Sequence, residues 1–101
     1  MPKGYAIVTE EVTDEEGMGA YSAKAIPTIL GAGANVLAAG PVAEVTEGEW
    51  HGTQTIVLEF ESVEAAQAWY HSAEYQEAVT LRQAAANCNF AIIGGFEMPG
   101  G

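Results

Sequence analysis

Four short stretches of the chain, in which apolar residues predominate, predict β-strands. The first alternates weakly between hydrophobic and polar positions and is rich in the residues that favour an extended backbone. The four stretches span residues 3–11, 35–40, 54–60 and 89–96. The segment VAEVTEGEWHG, between the second and third stretches, alternates around Glu47-Gly48 and predicts a short hairpin arm or an extended strand.

Apolar residues at helical spacing predict helices after the first and third strands. Asp14 is the predicted N-cap of the first helix, Pro27 predicts a kink in it, and the glycines of residues 31–33 predict its end. Ser62 and Ser72 are the predicted N-caps of two helical pieces that form the second helical region. The inward side of the first helix is predicted to carry Met18, Tyr21, Ala25 and Ile29.

The order strand, helix, strand, strand, helix, strand is that of a ferredoxin-like βαββαβ domain, an α+β fold with an antiparallel sheet. A chain of 101 residues has room for one domain with a modest core. We therefore expect a single domain over residues 1–101, with its core at 3–96 and a C-terminal tail at 97–101.

Both faces of the predicted sheet are mainly apolar, because successive side chains of a strand point to opposite faces. The third strand carries Ile56, Leu58 and Phe60 against Thr55, Val57 and Glu59, and strict alternation in the second strand sets Val36 and Ala38 against Leu37 and Ala39.

Two helices can cover only one face of a four-stranded sheet, so the other face is expected to be left apolar and exposed. The exposed set would be Val8, Leu37, Val57 and Ile93, or their alternates. A contiguous patch of this kind usually marks an interaction surface. The pattern predicts a homodimer in which two sheets face each other across a two-fold axis.

The charge of the chain limits its partners. Fourteen acidic residues face three strong bases, for a formal net charge of −11. This charge repels phosphate groups, so we expect neither nucleic acid nor an anionic membrane surface as a partner. No apolar run approaches the length of about 18 residues that a membrane span needs, and the first residues lack the regions of a signal peptide. The single cysteine, Cys88, excludes an internal disulfide, and a cytoplasmic location is expected.

Three charged or titratable residues are candidates for chemistry. His71 projects with the polar residues near a helix end, where it is either solvated or contacts a ligand in the bend. Arg82 lies within an apolar helical arc, so it needs a structural partner at the rim or the anionic group of a ligand. Glu59 points toward the predicted dimer interior, where it is either a general base or a wet residue at the barrel mouth.

Three aromatic residues are candidate ligand contacts. Tyr21 and Tyr70 either line a pocket between helix and sheet or pack with their hydroxyls at the surface. Trp50, on the predicted arm, either clasps the partner subunit or contacts a ligand. No metal site is expected, because His51 and His71 have no further ligand at motif spacing, and no cofactor fingerprint is present.

The stretches KGYAIV, GPVAEVTEGEW, VLEFESVEAAQAWYHSAEYQ and LRQAAA resemble the family of small bacterial proteins known as domain of unknown function 1330, over residues 3–96. This family belongs to the dimeric α/β barrel superfamily, so the resemblance implies the same homodimer as the two apolar faces. It implies no established activity. The superfamily includes monooxygenases that act on antibiotic precursors, dehydratases, haem-degrading enzymes and stress-response proteins.

Three hypotheses about function follow. The first is a homodimer that binds a small apolar or carboxylate-bearing molecule, with Arg82, Glu59, Tyr21, Tyr70 and Trp50 as ligand contacts. The second is a cofactor-independent enzyme of the monooxygenase or isomerase type, with Glu59 or His71 as its base. The third is a purely structural dimerisation module.

Overall fold

The computed structural model describes residues 2–97 and residue 99. Of the predicted C-terminal tail, residues 98, 100 and 101 therefore lie outside the described part of the chain. The elements are β1 (Gly4–Val12), α1 (Glu15–Gly31), β2 (Asn35–Pro41), β3 (Gln54–Phe60), α2 (Val63–Tyr70), α3 (Ala73–Ala85) and β4 (Ala86–Gly94). The sheet is antiparallel, with the strand order β2-β3-β1-β4. The predicted ferredoxin-like α+β arrangement is confirmed.

The three predicted N-caps are confirmed, and they set the starts of the helices. Asp14 accepts a hydrogen bond from the backbone N–H of Gly17 at 3.1 Å. Ser62 and Ser72 do the same for the N–H groups three residues downstream, at 3.0 and 3.2 Å. Each cap satisfies a backbone donor that has no partner inside its helix.

None of the three helices in the described part of the chain has the length and hydropathy of a membrane span.

The core lies between the three helices and one face of the sheet, here called the helix face. Tyr21 and Ala25 of α1 are buried in it, as the helical spacing predicts. Trp69 of α2 is the centre of an aromatic cluster, with its ring 4.1 Å from that of Tyr75 and 5.3 Å from that of Phe60. Because these rings come from both helical pieces and from β3, they fix the bend between α2 and α3 against the sheet.

The opposite face of the sheet, here called the open face, has none of the three described helices packed on it. Strand pairing arranges its side chains in three rows across the sheet. The rows are Asn35, Glu59, Tyr5 and Ile93, then Ala38, Val57, Ile7 and Ala91, then Gly40, Thr55, Thr9 and Asn89. The middle row is apolar and the two outer rows are mainly polar. The expectation of a mainly apolar second face is therefore correct only for the middle of the sheet.

Two details of the predicted faces are wrong. Val8 lies on the helix face and is 4% exposed, so its neighbour Ile7 takes its place on the open face. In β2, the pairing register shifts between Val36 and Ala38. This irregularity inserts an extra residue, so strict alternation fails and Ala39 lies on the helix face.

Residues 42–53 form an irregular segment, here called the arm, instead of the predicted hairpin or extended strand. The arm returns over the sheet because two side chains hold it there. The indole of Trp50 donates to the Thr55 hydroxyl at 2.9 Å, and the Nδ1 atom of His51 lies 2.7 Å from the Thr9 hydroxyl. Tertiary hydrogen bonds of this kind do not appear in the local alternation, which explains why the hairpin prediction is wrong.

Two glycines of the arm differ in how close they lie to β1. Gly48 and Gly52 have nearly the same backbone conformation, with φ of 73° and 76°. A Cβ atom at position 48 would meet no atom, whereas at position 52 it would overlap the backbone carbonyl of Glu10. We expect Gly48→Ala to lower the free energy of unfolding by about 1 kcal/mol, through its backbone conformation alone. Gly52→Ala should lower it by roughly 1–3 kcal/mol more.

Denaturant unfolding of both variants checks this prediction, and Gly48→Ala is the matched control. Equal losses of stability in the two variants would contradict the close approach of the arm to β1.

Candidate functional site

A cavity of about 240 Å³ lies between α1 and the helix face of the sheet. Its lining is almost wholly apolar. The lining residues come from all four strands, excluding their end residues, and from α1 and α2. The lining residues are Val8, Tyr21, Ser22, Ala25, Ile26, Ile29, Val36, Ala39, Ile56, Leu58, Trp69 and Phe90. A larger recess of about 440 Å³ near the end of α1 is a surface groove with mostly exposed residues, so it is a weaker candidate.

The mouth of the cavity lies between α1 and the edge strand β2. Ile26 and Val36 line the cavity, yet they are 53% and 55% exposed. Lining residues on the far side, such as Leu58 and Trp69, are buried. The cavity therefore opens at the sheet edge, and its far side borders the aromatic cluster.

A pair of tyrosines includes one lining residue of the cavity, Tyr21, and its buried partner Tyr75. The hydroxyl oxygens of Tyr21 and Tyr75 lie 2.7 Å apart, and their rings meet edge to face. Burial is the main cause that raises the pKa of both phenols. Arg82 opposes this effect and holds down the pKa of each, because a nearby cation favours the ionised phenol. Both hydroxyls are therefore neutral hydrogen-bond donors at neutral pH.

Arg82 lies behind this tyrosine pair and is 4% exposed. Its guanidinium carbon is 5.4 Å from the centre of the Phe90 ring, a cation–π contact. Burial acts to lower the pKa of Arg82, but its hydrogen bond to Cys88 and the charges of the neighbouring phenols raise it. The Nε atom is buried and has no hydrogen-bond partner among the described residues. Arg82 is thus a buried cation with one unsatisfied donor, instead of a side chain that reaches the solvent.

Glu10 is the buried carboxyl group of the same cluster and is 1% exposed. Burial raises its pKa, and the attraction of Arg82 lowers it by a smaller amount. The thiol of Cys88 donates to Oε2 of Glu10 at 3.9 Å, and burial raises the pKa of this thiol. The sequence reasoning did not identify Glu10, although its alternation with Ala6 and Val8 places it on the buried face.

Glu59 and Trp50 lie on the other side of the sheet. Glu59 accepts a hydrogen bond from the Tyr5 hydroxyl at 3.0 Å and a longer one from Asn35 at 3.4 Å, in the first polar row of the open face. Trp50 and His51 border a shallow recess of about 320 Å³ over the opposite end of that face. Of the five predicted ligand contacts, the structure thus brings together Arg82 and Tyr21 and separates Glu59 and Trp50 from them.

His71 and Tyr70 lie at the bend between α2 and α3. His71 is the C-cap residue of α2, is exposed, and packs edge to face against the Tyr70 ring at 5.2 Å. The Tyr70 ring packs against Phe90 and Tyr75, at 4.9 and 5.6 Å. Neither residue lines the cavity. No group of three or more metal-ligating side chains occurs within the described residues.

The sequence profile of the family described as Domain of unknown function (DUF1330) matches residues 3–96. The chain belongs to the DUF1330 family. The resemblance found in the four sequence stretches is therefore confirmed for this DUF1330 protein. Among curated proteins, none matches its sequence.

Solved structures share the fold of the DUF1330 protein at low sequence identity. A protein of unknown function from Rhodopseudomonas palustris is similar with a TM-score of 0.78 and 19% identity, over 96% of this chain and 85% of that one. A dimeric ferredoxin-like protein of unknown function from Jannaschia sp. has a TM-score of 0.62 and 17% identity, over 95% and 99%. SnoaB, a cofactor-independent oxygenase from Streptomyces nogalater, has a TM-score of 0.67 and 7% identity, over the whole of both chains.

Proposed function

We propose that this DUF1330 protein is a cytoplasmic homodimer that binds a small, largely apolar molecule, with or without a carboxylate, in the cavity of each subunit. The observation that carries the proposal is the apolar cavity between α1 and the sheet, whose lining has only a few polar groups, those of Tyr21, Ser22 and Trp69. Ligand sites in proteins typically combine a mainly apolar lining with a few placed polar groups.

The open face supports the dimer. Its middle row is apolar across all four strands, and the neighbouring Ile93 is 54% exposed. A stable interface buries roughly 800 Å² per partner, and the open face is the side of the sheet left for such an interface. Two of the structurally similar proteins are themselves described as dimeric ferredoxin-like proteins. A second copy that covers the middle row would leave the helix-face cavities at the outside of the dimer.

The size of the cavity limits the ligand. Its volume of about 240 Å³ is below the usual range of roughly 300–1,000 Å³ for ligand pockets. An apolar cavity of about 150 Å³ is large enough to hold benzene. A molecule with one substituted ring, or an aliphatic molecule of similar volume, is therefore the class that fits.

Filling the cavity should abolish binding. Ala25 is buried and lines the cavity, whereas Ala23 lies on the exposed side of the same helix. We expect the protein to bind nitrobenzene, measured by quenching of tryptophan fluorescence, because Trp69 lines the cavity. Ala25→Phe should reduce the affinity at least about tenfold, since its ring occupies the space of the probe.

Ala23→Phe is the matched control and should bind nitrobenzene as the unmodified protein does. Equal affinities of the two variants would place the probe elsewhere. No binding by the unmodified protein would contradict the ligand site and favour the purely structural dimerisation module.

A cofactor-independent oxygenase or isomerase is the second candidate function. The full-length structural likeness to SnoaB supports it, although at 7% identity this likeness extends to the fold alone. Such an enzyme needs a base beside its substrate, and none of the residues that line the helix-face cavity is aspartate, glutamate or histidine. If this candidate is correct, Glu59→Ala or His71→Ala should abolish a detected turnover; retained turnover in both variants would reject these two bases.

A further inference from the structure

The hydroxyl groups of Tyr21, which lines the cavity, and of its buried partner Tyr75 share one hydrogen bond and have one hydrogen left over. Each tyrosine hydroxyl carries one hydrogen and can also accept. One hydrogen fills the 2.7 Å contact between the oxygens of Tyr21 and Tyr75. Within the described residues, neither hydroxyl donates to any other protein acceptor in a geometrically defined hydrogen bond. One of the two hydrogens is therefore without an acceptor among residues 2–97 and 99.

The surroundings decide which hydroxyl keeps this hydrogen. Arg82, whose charge acts on Tyr75, has donors only, so it offers that hydroxyl no acceptor. Tyr75 is completely buried, so a free hydrogen there would be desolvated without a partner. Donation from Tyr75 to Tyr21 is the arrangement that leaves the remaining hydrogen on the tyrosine that lines the cavity.

We propose that the molecule bound in the cavity carries an anionic oxygen on its apolar skeleton, the oxygen of an ionised phenol or enol, and that this oxygen accepts the hydrogen bond of Tyr21. This inference rests on the proposed function, because it concerns the ligand of the same cavity. In this proposal Tyr21 selects the class of ligand. Tyr75 and Arg82 are positioning residues that act on the ligand through Tyr21.

The charges around the tyrosine pair favour an anionic oxygen at this point. Arg82 acts electrostatically on both phenols, and a cation behind a hydrogen-bond donor strengthens its bond to an anion. None of the residues that line the cavity is acidic. When Glu10 is ionised, its negative charge opposes the effect of Arg82 on the tyrosine pair. Burial raises the pKa of Glu10, however, and so favours its neutral form.

The probe pair 4-nitrophenol and nitrobenzene tests the inference, because the two molecules differ by one oxygen. The phenolate form of 4-nitrophenol absorbs at longer wavelength than the neutral phenol, so absorbance gives its ionised fraction directly. We expect bound 4-nitrophenol to ionise at a lower pH than the free probe. In Tyr21→Phe this shift should vanish, and the affinity for the phenolate should fall by about tenfold or more. The affinity for nitrobenzene should stay within about twofold.

Two further variants complete the design. Tyr70→Phe removes a hydroxyl from a ring that packs nearby but does not line the cavity, and it should behave as the unmodified protein does. Tyr75→Phe keeps the Tyr21 hydrogen but removes the donor behind it, so it should weaken phenolate binding by a smaller factor than Tyr21→Phe.

The outcomes separate the inference from the proposed function. If neither probe binds the unmodified protein, the ligand site itself is wrong and the inference fails with it. If both probes bind but Tyr21→Phe keeps the shift in ionisation, the ligand site stands and the role of Tyr21 is overturned. Tighter binding of 4-nitrobenzoate than of 4-nitrophenol would replace the phenol class by carboxylates.

Discussion

Val57→Glu is expected to convert the proposed dimer into a monomer. Val57 lies in the middle row of the open face, opposite Ile7 and Ala38, and Glu59 is the next residue on the same side of its strand. A glutamate there would carry an uncompensated charge into the interface, which weakens association by roughly 3 kcal/mol or more. Sedimentation should show the mass of a single chain, 10.6 kDa, at concentrations where the unmodified protein is dimeric.

Gln83→Glu is the control for this experiment. Gln83 is exposed on α3, so the same negative charge is added away from the sheet, and the dimer should persist. The interface is misplaced if Val57→Glu sediments as a dimer or if Gln83→Glu dissociates it.

Arg82→Met is expected to lower the free energy of unfolding by about 3–5 kcal/mol near neutral pH. Methionine fills a similar volume, but it removes the only cation of the buried cluster that contains Glu10, Tyr75 and Cys88. Any ionised form of Glu10 would then be buried without a counter-charge. Thermal or denaturant unfolding measures the loss, which is a large part of the usual stability of a domain.

The loss in Arg82→Met should depend on pH in a defined direction. Burial already raises the pKa of Glu10 above its ordinary value of 4.5, and Arg82 limits the rise. A group whose pKa is higher in the folded state contributes stability below 4.5 that is lost as the pH rises through the folded pKa. Without Arg82 the pKa of Glu10 in the folded state is higher still. The loss in free energy of unfolding caused by Arg82→Met should therefore be smaller at about pH 5 than at about pH 8.

The double variant Arg82→Met with Glu10→Gln separates the charge effect from a packing effect. Removing both charges together should restore most of the stability, because a neutral pair needs no counter-charge. If the double variant is as unstable as Arg82→Met alone and shows no change with pH, the electrostatic role of the cluster is wrong.

Local sequence signals predicted most of the fold. The three N-caps and the bounds of β3 depend on residues within a few positions of one another, so they were visible in the pattern. The start of β4 was predicted three residues too late, because Ala86 enters the sheet by pairing with Val12 of β1. The irregularity in β2 and the path of the arm are likewise set by tertiary contacts, which short-range alternation does not contain.

The candidate site was predictable only in part, for a related reason. Arg82 and Tyr21 were identified because each is a polar group on an apolar helix side. Their partners come from distant positions in the sequence. Tyr75 is 54 residues from Tyr21 along the chain, and the two side chains meet because α1 packs against α3. Glu59 and Arg82 were expected to contact one ligand, but they lie on opposite faces of the sheet, and their placement follows from the register of β3 and the packing of α3.

A crystal structure of the protein with 4-nitrophenol tests the central claim most directly. The account predicts the ring between α1 and the helix face, with its phenol oxygen about 3 Å from the hydroxyl oxygen of Tyr21. A ring bound on the open face beside Trp50 and His51, with the helix-face cavity empty, would contradict it.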